Sequence, residues 1–401
     1  MKNKCHFRGP HTFVLWSVIW AGATSLVSAQ GFIVTGVGAV NRGFGGAGTA
    51  APLEAITALH WNPGAIVELP GSQFTFGTEV VLPSVELGAD VGGMASRTAG
   101  EPGAALLPAV GWVYQDPESP AAVGLGMYGV AGFRSNLPQD PTNPILALGP
   151  LYADAEVFQI APTVAYRLTD RLSFGVAPTI TVARIALDPL GPSFITPLPT
   201  PGTSSRVHWG GGVQAGLFWR ATDCWHWGFT IKSPQWMEDF RFFTPNGVVT
   251  ADIDYPMILS LGTAWDSGYG WLLALDARYF DYKNTSGFRE LGWSNVFAGA
   301  VGLQRTINSA LTLRCGYNFN QNPIRSSEAF ANLLTPLIQE HNISAGCSLR
   351  IAPQVELALA YVYLVNNGLT GPLPSPPFGP TDTLTHEINA HSVAFAIVTA
   401  Y

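Results

Sequence analysis

Four basic residues have the type and spacing needed to bind an acidic group from the wall of a β-structure. Each lies in a segment where apolar and polar residues alternate, so each can project from one face of a strand. They are Arg184, Arg278, Arg314 and Lys232. A guanidinium or ammonium group binds a carboxylate strongly where water is excluded. For the arginines the alternative is an ion pair within the chain, with an inward carboxylate such as Glu79, Asp276 or Glu356.

Signals for catalysis or cofactor binding are weak. His208 and His226 lie in alternating segments, but no serine or aspartate is spaced around them in a diagnostic way. The run Gly43–Gly48 fits the GxGxxG pattern, yet no strand precedes it and no βαβ unit follows it. None of the cysteines forms a CxxC pair. We therefore expect that the protein is not an enzyme and holds no cofactor or metal ion.

The elements that must position the basic residues are strands. From Gly71 onward, apolar residues recur at every second position in segments bounded by turn signals. Leu313 and Tyr317, for example, alternate with Arg314 and Asn318. The pattern predicts about 14 strands, an even number as in single-chain bacterial barrels. They span 72–83, 106–116, 119–133, 155–168, 171–185, 204–220, 224–243, 248–266, 269–284, 292–307, 309–324, 339–351, 353–368 and 386–401.

The last predicted strand indicates how the sheet ends. Val393, Phe395 and Ile397 alternate with small residues, and the chain stops at Tyr401. A soluble sheet seldom leaves such a strand as its frayed edge, whereas a transmembrane barrel pairs its final strand with its first. The alternative is an edge strand of a soluble β-sandwich. We predict an all-β fold, a transmembrane antiparallel β-barrel of about 14 strands over residues 72–401.

The first residues have the pattern of a secretion signal. Lys2 and Arg8 precede an apolar run that begins at Phe13, and Val27-Ser28-Ala29 is a small-residue cleavage site. The run is too short to be a comfortable spanning helix. We expect residues 1–29 to form a signal peptide that is cleaved after Ala29.

Composition supports a barrel that faces lipid. Charged residues make up 12% and hydrophobic residues 47% of the chain, but no later apolar run approaches the length of a spanning helix. The net charge of −7 comes with no basic block, which argues against nucleic acid as a partner. Short turns alternate with long connections, and barrels of this kind place the long ones outside the cell.

Two of the long connections contain many apolar residues. One includes Ile145 and Leu148, and the next includes Phe194 and Ile195. An apolar patch on an outer loop usually marks a binding surface. Packing of one loop against another explains the pattern equally well.

Residues 30–71 precede the first strand and do not alternate. Gly45–Ala50, Glu54–Leu59 and Trp61–Ala65 resemble the N-terminal hatch of the FadL/TodX family. The turn Asn62-Pro63-Gly64 departs from the family's Asn-Pro-Ala-Gly-like turn but keeps its chemistry, because proline presets φ and asparagine caps the turn. The resemblance implies a barrel plugged by residues 30–71 that carries fatty acids or other hydrophobic molecules inward.

The resemblance also implies a setting and a binding site. The setting is the outer membrane of a Gram-negative bacterium, with lipid, lipopolysaccharide and the barrel assembly machinery as partners of a monomer. The hydrophobic ligand is expected to contact Phe32, the apolar loops and the arginines. Strict alternation puts Arg184 on the apolar face of its strand, so either a bulge near Pro178 resets the phase or Arg184 lies at the outer rim.

The third predicted strand contains four glycines that suggest a kink: Gly124, Gly126, Gly129 and Gly132. Glycine inside a strand weakens pairing and often marks a bend. In the resembling family an inward kink of the third strand opens the wall sideways, which implies lateral exit of the solute into the bilayer. Alternatively, these glycines only let the wall approach the hatch closely.

Two other functions stay open on the sequence. A general or substrate-specific diffusion porin would need a wide, water-filled lumen and no hatch. An outer-membrane enzyme acting on lipids would need a nucleophile and a base. The only candidates for the base are the isolated histidines His208 and His226.

Overall fold

Antiparallel strands form a closed wall in this computed structural model, which describes residues 31–190, 203–245 and 247–401. Within those residues 14 strands make up the wall, and β1, β3–β6, β8, β9 and β13–β19 are its members. The strands are β1 Gln73–Val91, β2 Met94–Ala99, β3 Ala105–Gln115, β4 Ala121–Leu137, β5 Leu151–Thr169, β6 Leu172–Asp188, β7 Thr203–Ser204, β8 His208–Arg220, β9 Trp225–Lys232, β10 Trp236–Met237, β11 Phe240–Thr244, β12 Gly247–Ala251, β13 Ile258–Asp266, β14 Trp271–Phe280, β15 Val296–Thr306, β16 Leu311–Asn320, β17 His341–Ala352, β18 Val355–Pro372 and β19 Thr383–Ala400. The predicted signal peptide and the loop residues Phe194 and Ile195 lie outside the described residues.

The last strand closes the barrel, as its pattern predicts. β19 pairs with β18 on one side and with β1 on the other, in a register that runs from Gln73 opposite Ala400 to Asp90 opposite Thr383. Phe395 is exposed on the outer face, whereas Ala396 is fully buried on the inner face. The prediction of a transmembrane antiparallel barrel is therefore confirmed. Among the described residues, no helix has the length and hydropathy needed to cross a bilayer.

Two predicted strands, 224–243 and 248–266, are too long. β9 ends at Lys232 and β13 begins only at Ile258. Between them, β11 and β12 pair with each other in a separate two-stranded sheet. Prolines near both boundaries, Pro234 and Pro256, have no backbone N–H to donate to a ladder, which stops the wall strands there. β1 is longer than predicted, because it continues to Val91 and turns into β2.

The N-terminal segment, residues 31–70, lies inside the wall. It contains two short helices, α1 Ala39–Gly43 and α2 Ala55–Trp61, and a 3₁₀ turn at Pro63–Glu68. No residue from 31 to 69 is exposed. α1 contacts β17 and β18, α2 contacts β3, and the 3₁₀ turn contacts β5, β6 and β8, so the segment reaches the wall on several sides.

Glycines on the inner face let the wall approach this segment closely. A Cβ at Gly228 would lie 1.9 Å from the carbonyl oxygen of Thr49, a distance that no side chain tolerates. Similar close contacts with the N-terminal segment occur at Gly111, Gly124, Gly175, Gly216, Gly262, Gly302, Gly316 and Gly346. The composition suggests turns for the many glycines, but these lie within strands, where they make room for residues 31–70.

Candidate transport cavity in the barrel wall

The wall has a gap between β3 and β4. Their pairing runs from Gln115 opposite Ala122 to Ala109 opposite Tyr128 and stops there, although both strands continue. At the same level the register between β4 and β5 shifts between Gly129 and Ala131, which is the mark of a β-bulge. Beyond the bulge, β5 is the one described wall strand that pairs with β4. The start of β3 and the second half of β4 therefore border an opening.

The edge of β4 that the gap leaves free is paired from the inside. Ile33 forms an isolated antiparallel bridge with Ala131. The N–H of Val34 donates to the carbonyl of Val130 at 3.1 Å, and the N–H of Gly132 donates to the carbonyl of Phe32 at 3.4 Å. The start of the N-terminal segment thus satisfies backbone groups that an unpaired strand edge would expose.

An arginine closes the top of the gap. Arg134 on β4 donates from Nη1 to the carbonyl of Ala104, just before β3, at 3.1 Å. Its Nε donates to Oδ1 of Asp154 on β5 at 3.1 Å, which fixes the side chain. Asn136 and Glu101 add two further bonds across the gap, at 3.0 and 2.6 Å.

A cavity of about 340 Å³ fills this region. Phe32 and Ile33 of the N-terminal segment and Leu107 on the inner face of β3 line it. Leu106 also lines it, although this residue is 69% exposed on the outer face of β3. The cavity therefore extends from the N-terminal segment through the wall to its lipid-facing side.

The charged groups at the cavity neutralise one another. Arg42 of the N-terminal segment lies 2.7 Å from Oε1 of Glu79 and also donates to the hydroxyl of Thr35. Ser392 donates to the same carboxylate. At the outer lip, Arg134 is bound by Asp154. Among the described residues, the charges that line the cavity thus offer no uncompensated cation for a free carboxylate.

Two buried amides supply polar groups at the inner side of the cavity. The Oδ1 atoms of Asn320 and Asn342 have no hydrogen-bond partner in the described part of the chain. Glu340 lies next to them, where its carbonyl accepts from the N–H of Asn320 at 3.0 Å. Burial raises the pKa of the Glu340 carboxyl to about 7, while the Asn367 side chain opposes the shift. These amides can bind one polar group of an otherwise apolar molecule.

Arg278 contacts the N-terminal segment instead of the cavity. It forms an ion pair with Asp276 at 2.7 Å and donates to the carbonyls of Gly46 at 2.6 Å and Thr35 at 3.2 Å. The guanidinium carbon lies 3.3 Å from the centre of the Trp61 ring. Asp276 in turn accepts from the backbone and side chain of residues 48 and 49. Arg278 therefore anchors the N-terminal segment to β14, and the ligand contact predicted for it stays a prediction.

Removal of this anchor should destabilise the protein. Arg278→Ala leaves Asp276 buried without its cation, and breaking a buried ion pair on one side typically costs about 3–5 kcal/mol. The measurement is the free energy of unfolding in lipid vesicles, followed by tryptophan fluorescence. Arg305→Ala is the control, because Arg305 lies near an exposed turn, where it covers the Trp271 ring at 4.8 Å and donates to the carbonyl of Tyr269 at 2.6 Å. Such an exposed contact should contribute about 0.5–1 kcal/mol. Equal stability of Arg278→Ala and the control would contradict the anchor.

The other two predicted arginines also have partners within the chain. Arg314 donates to Gln304 and Ser348 and lies 3.9 Å from Glu356, one of the carboxylates considered from the sequence. Arg184 pairs with Asp154 at 3.1 Å. β6 keeps one register with β8 from Leu172 to Ala183, so no bulge at Pro178 resets its phase. Arg184 therefore stays on the outer phase, beside the lip that Arg134 forms.

The remaining predicted residues fall into two groups. Phe32 lines the cavity, where its ring packs 6.1 Å from Phe133 and 5.6 Å from Phe288. Gly129 and Gly132 also line it. Ile145 is buried in the loop core, Leu148 is exposed, and neither lines the cavity.

Asn62-Pro63-Gly64 forms a turn against the wall, with Asn62 Nδ2 donating to the carbonyls of Thr49 at 2.8 Å and Leu217 at 2.9 Å. Gly124 and Gly126 lie below the gap, in the paired half of β4. Their Cβ positions would meet Leu59 and Tyr128.

Sequence reasoning missed several cavity residues. Arg42 lies in the N-terminal segment, whose residues do not alternate, so the sequence does not predict where its side chain points. Glu79 appeared only as a possible partner for the arginines on distant strands, and it pairs with Arg42 instead. Asn320 and Asn342 could have been found from the sequence. Both are amides at inward positions of their strands, where most other residues are small.

A closed barrel with an apolar outer face, an occupied lumen and a lateral cavity defines the class: a transmembrane β-barrel protein. A family model described as "Outer membrane protein transport protein (OMPP1/FadL/TodX)" matches residues 20–241, more than half of the chain. The chain therefore belongs to the OMPP1/FadL/TodX family of outer-membrane transport proteins. A comparison with curated protein sequences found no match.

Solved structures share the fold at low sequence identity. The toluene transporter TodX of Pseudomonas putida is 17% identical, with a TM-score of 0.71 over 92% of this chain and 99% of TodX. A FadL homologue from Pseudomonas aeruginosa is 15% identical, with a TM-score of 0.70 and coverage of 92% and 99%. The toluene transporter TbuX of Ralstonia pickettii is 16% identical, with a TM-score of 0.64 over 90% of this chain and 98% of TbuX.

Proposed function

We propose that this protein carries lipophilic molecules across the outer membrane and releases them sideways into the bilayer. The observation that carries the proposal is the cavity that passes through the wall between β3 and β4. A solute held by Phe32 and Leu107 has an apolar path to Leu106 on the lipid-facing side. Residues 1–29 direct secretion, and the apolar loops, including Phe194 and Ile195, capture the solute outside.

Lateral release suits an apolar solute for a simple reason. Each buried methylene group is favoured by about 0.8 kcal/mol over water. Release of a long alkyl chain into the periplasm would therefore cost this free energy for each methylene group, whereas exit into the bilayer keeps the chain out of water. The bulge between Gly129 and Ala131 supports this route, because it separates β4 from β3 at the level of the cavity.

The N-terminal segment supports a gated carrier over an open diffusion porin. Residues 31–69 fill the lumen without an exposed residue. In this proposal the segment acts as the hatch that blocks water and ions, while the cavity beside it admits a lipophile. The toluene transporters among the similar structures suggest small aromatic compounds as one class of solute, and fatty acids stay within the proposal.

Uptake measurements test the function. Cells that lack other routes for the solute are compared with and without the full-length protein, using a labelled alkyl alcohol and toluene as lipophiles and glucose as a hydrophilic control. We expect faster uptake of the lipophiles only. Mass spectrometry of the purified barrel should detect a lipophilic molecule that copurifies. Faster uptake of glucose with no change for the lipophiles would favour a porin and overturn the proposal.

A further inference from the structure

A lysine is buried in the barrel, and no counter-charge pairs with it in the described part of the chain. Lys232, at the end of β9, is 2% exposed and forms no ion pair with any carboxylate in residues 31–190, 203–245 and 247–401. Its Nζ lies 3.4 Å from Nδ1 of His60 on α2 and 5.4 Å from the centre of the Trp61 ring. Intramembrane cations are costly and are found paired or in functional positions.

The surrounding charges do not compensate Lys232. Arg278 lies against the same indole, and its charge is balanced by Asp276 at 2.7 Å. On the flanking strands, Gln214 and Ile258 occupy the positions opposite Lys232. When Lys232 is protonated, it therefore adds a positive charge beside Trp61 that Asp276, already paired with Arg278, does not balance.

Polar atoms without partners lie on His60 and on residues that neighbour His60 or Lys232. They are His60 Nε2, Gln214 Oε1, Thr230 Oγ1 and Tyr128 OH, all buried and all without a hydrogen bond in the described part of the chain. Gln214 donates to the carbonyl of His60 at 3.0 Å, and the rings of His60 and Tyr128 are 5.1 Å apart. Buried polar atoms are normally satisfied, so a cluster of unsatisfied ones near a cation marks a place for a polar group that the chain does not supply.

We propose that Lys232 and His60 form a binding site for a carboxylate or a similar monoanionic group. The ammonium group supplies charge and three donors, and the imidazole, the Tyr128 hydroxyl and the Thr230 hydroxyl can add further donors. Tyr128 immediately precedes Gly129, which lines the cavity, so the site adjoins the cavity along β4. The inference rests on the proposed transport function, because it identifies an acidic lipophile as the solute whose head group binds here.

The position of this site differs from that of the predicted arginines. Arg184, Arg278 and Arg314 are each paired with a carboxylate, whereas Lys232 has no carboxylate partner among the residues that the structure describes. A hatch residue supplies half of the site, so binding of an anion would also tie the N-terminal segment to β9.

Calorimetric titration of the purified full-length protein in detergent tests the site. The probes are sodium decanoate and its neutral analogue decan-1-ol. The variant Lys232→Met removes the charge and keeps the length, and Lys283→Met is the matched control on an exposed loop. We expect Lys232→Met to weaken decanoate binding about tenfold or more while decanol binding changes less than about twofold. Lys232→Arg should retain decanoate binding.

Competition measurements identify whether the bound anion is free in solution or the head group of a lipophile. Competition by acetate or chloride supports a site for free anions, and selective loss of decanoate without such competition supports the head group of a lipophile. The proposal is wrong if the folded Lys232→Met barrel binds decanoate as the wild type does, or loses decanoate and decanol equally. If this variant does not fold, wild-type protein that binds decanoate no tighter than decanol also overturns it. Uptake of decanol by cells tests transport separately, since it does not require Lys232.

Discussion

A disulfide across the gap between β3 and β4 should stop uptake of a lipophilic solute, and a reductant should restore it. The positions are Leu107 on β3 and Gly129 on β4, changed together as Leu107→Cys and Gly129→Cys. A Cβ at Gly129 would lie 3.7 Å from the Leu107 Cβ, within the range of about 3.5–4.5 Å that disulfides require. Because both residues line the cavity, the bridge would close the lateral path without changing the rest of the wall.

The expected effect is loss of most uptake in the oxidised double variant and recovery after reduction. The single variants Leu107→Cys and Gly129→Cys are the controls, since neither can form the bridge. They also account for the native free thiols, Cys315 and Cys347, which lie on β16 and β17. Gel mobility before and after heating shows whether each barrel is folded. Unchanged uptake in a fully bridged, folded double variant would exclude the lateral path.

Filling one inner glycine should displace the N-terminal segment and make the barrel leak. A Cβ at Gly302 on β15 would lie 2.3 Å from the ring of Phe44, which is completely buried. Gly302→Val therefore cannot be accommodated beside residues 31–70 in their present position. Overpacking of this kind typically costs about 1–3 kcal/mol, which the segment can avoid by leaving its place in the lumen.

The matched control lies on the same strand. Gly299 faces outward, and its Cβ would meet only the Asp276 carbonyl at 3.9 Å, so Gly299→Val should have little effect. Planar-bilayer conductance and sensitivity to large antibiotics measure the leak. We expect both to rise with Gly302→Val and to stay at the wild-type level with Gly299→Val. Equal, low conductance of the two folded variants would mean that residues 31–70 do not act as a plug.

The N-terminal segment connects the filled lumen with the lateral opening. The N-terminal segment is held by Arg278, Asp276 and the inner glycines, and its first residues complete the edge of β4 at the gap. A solute that enters the cavity therefore contacts the segment and the opening together. The anion site at Lys232 and His60 would add a third contact between wall and segment.

The sequence by itself determined the class of the protein. Period-two alternation predicted the strands of the wall. The apolar face of the predicted last strand, residues 386–401, predicted that this strand pairs with the first one and closes the barrel. Both are local properties, because alternate side chains of a strand must point to opposite faces whatever lies beyond them. The resemblance carried by Gly45–Ala50 and Trp61–Ala65 correctly indicated the family.

Only the tertiary structure decided which residues meet. Arg278 and Arg42 have partners more than thirty positions away along the chain, and the end of pairing between β3 and β4 depends on the register of both strands. From the sequence, the inner glycines are interpreted as turn residues. Their role in making room for the N-terminal segment is visible only once that segment lies against the wall. Alternation states the face on which a side chain lies, but the fit of one surface against another sets its partner, and that fit exists only after the chain has closed on itself.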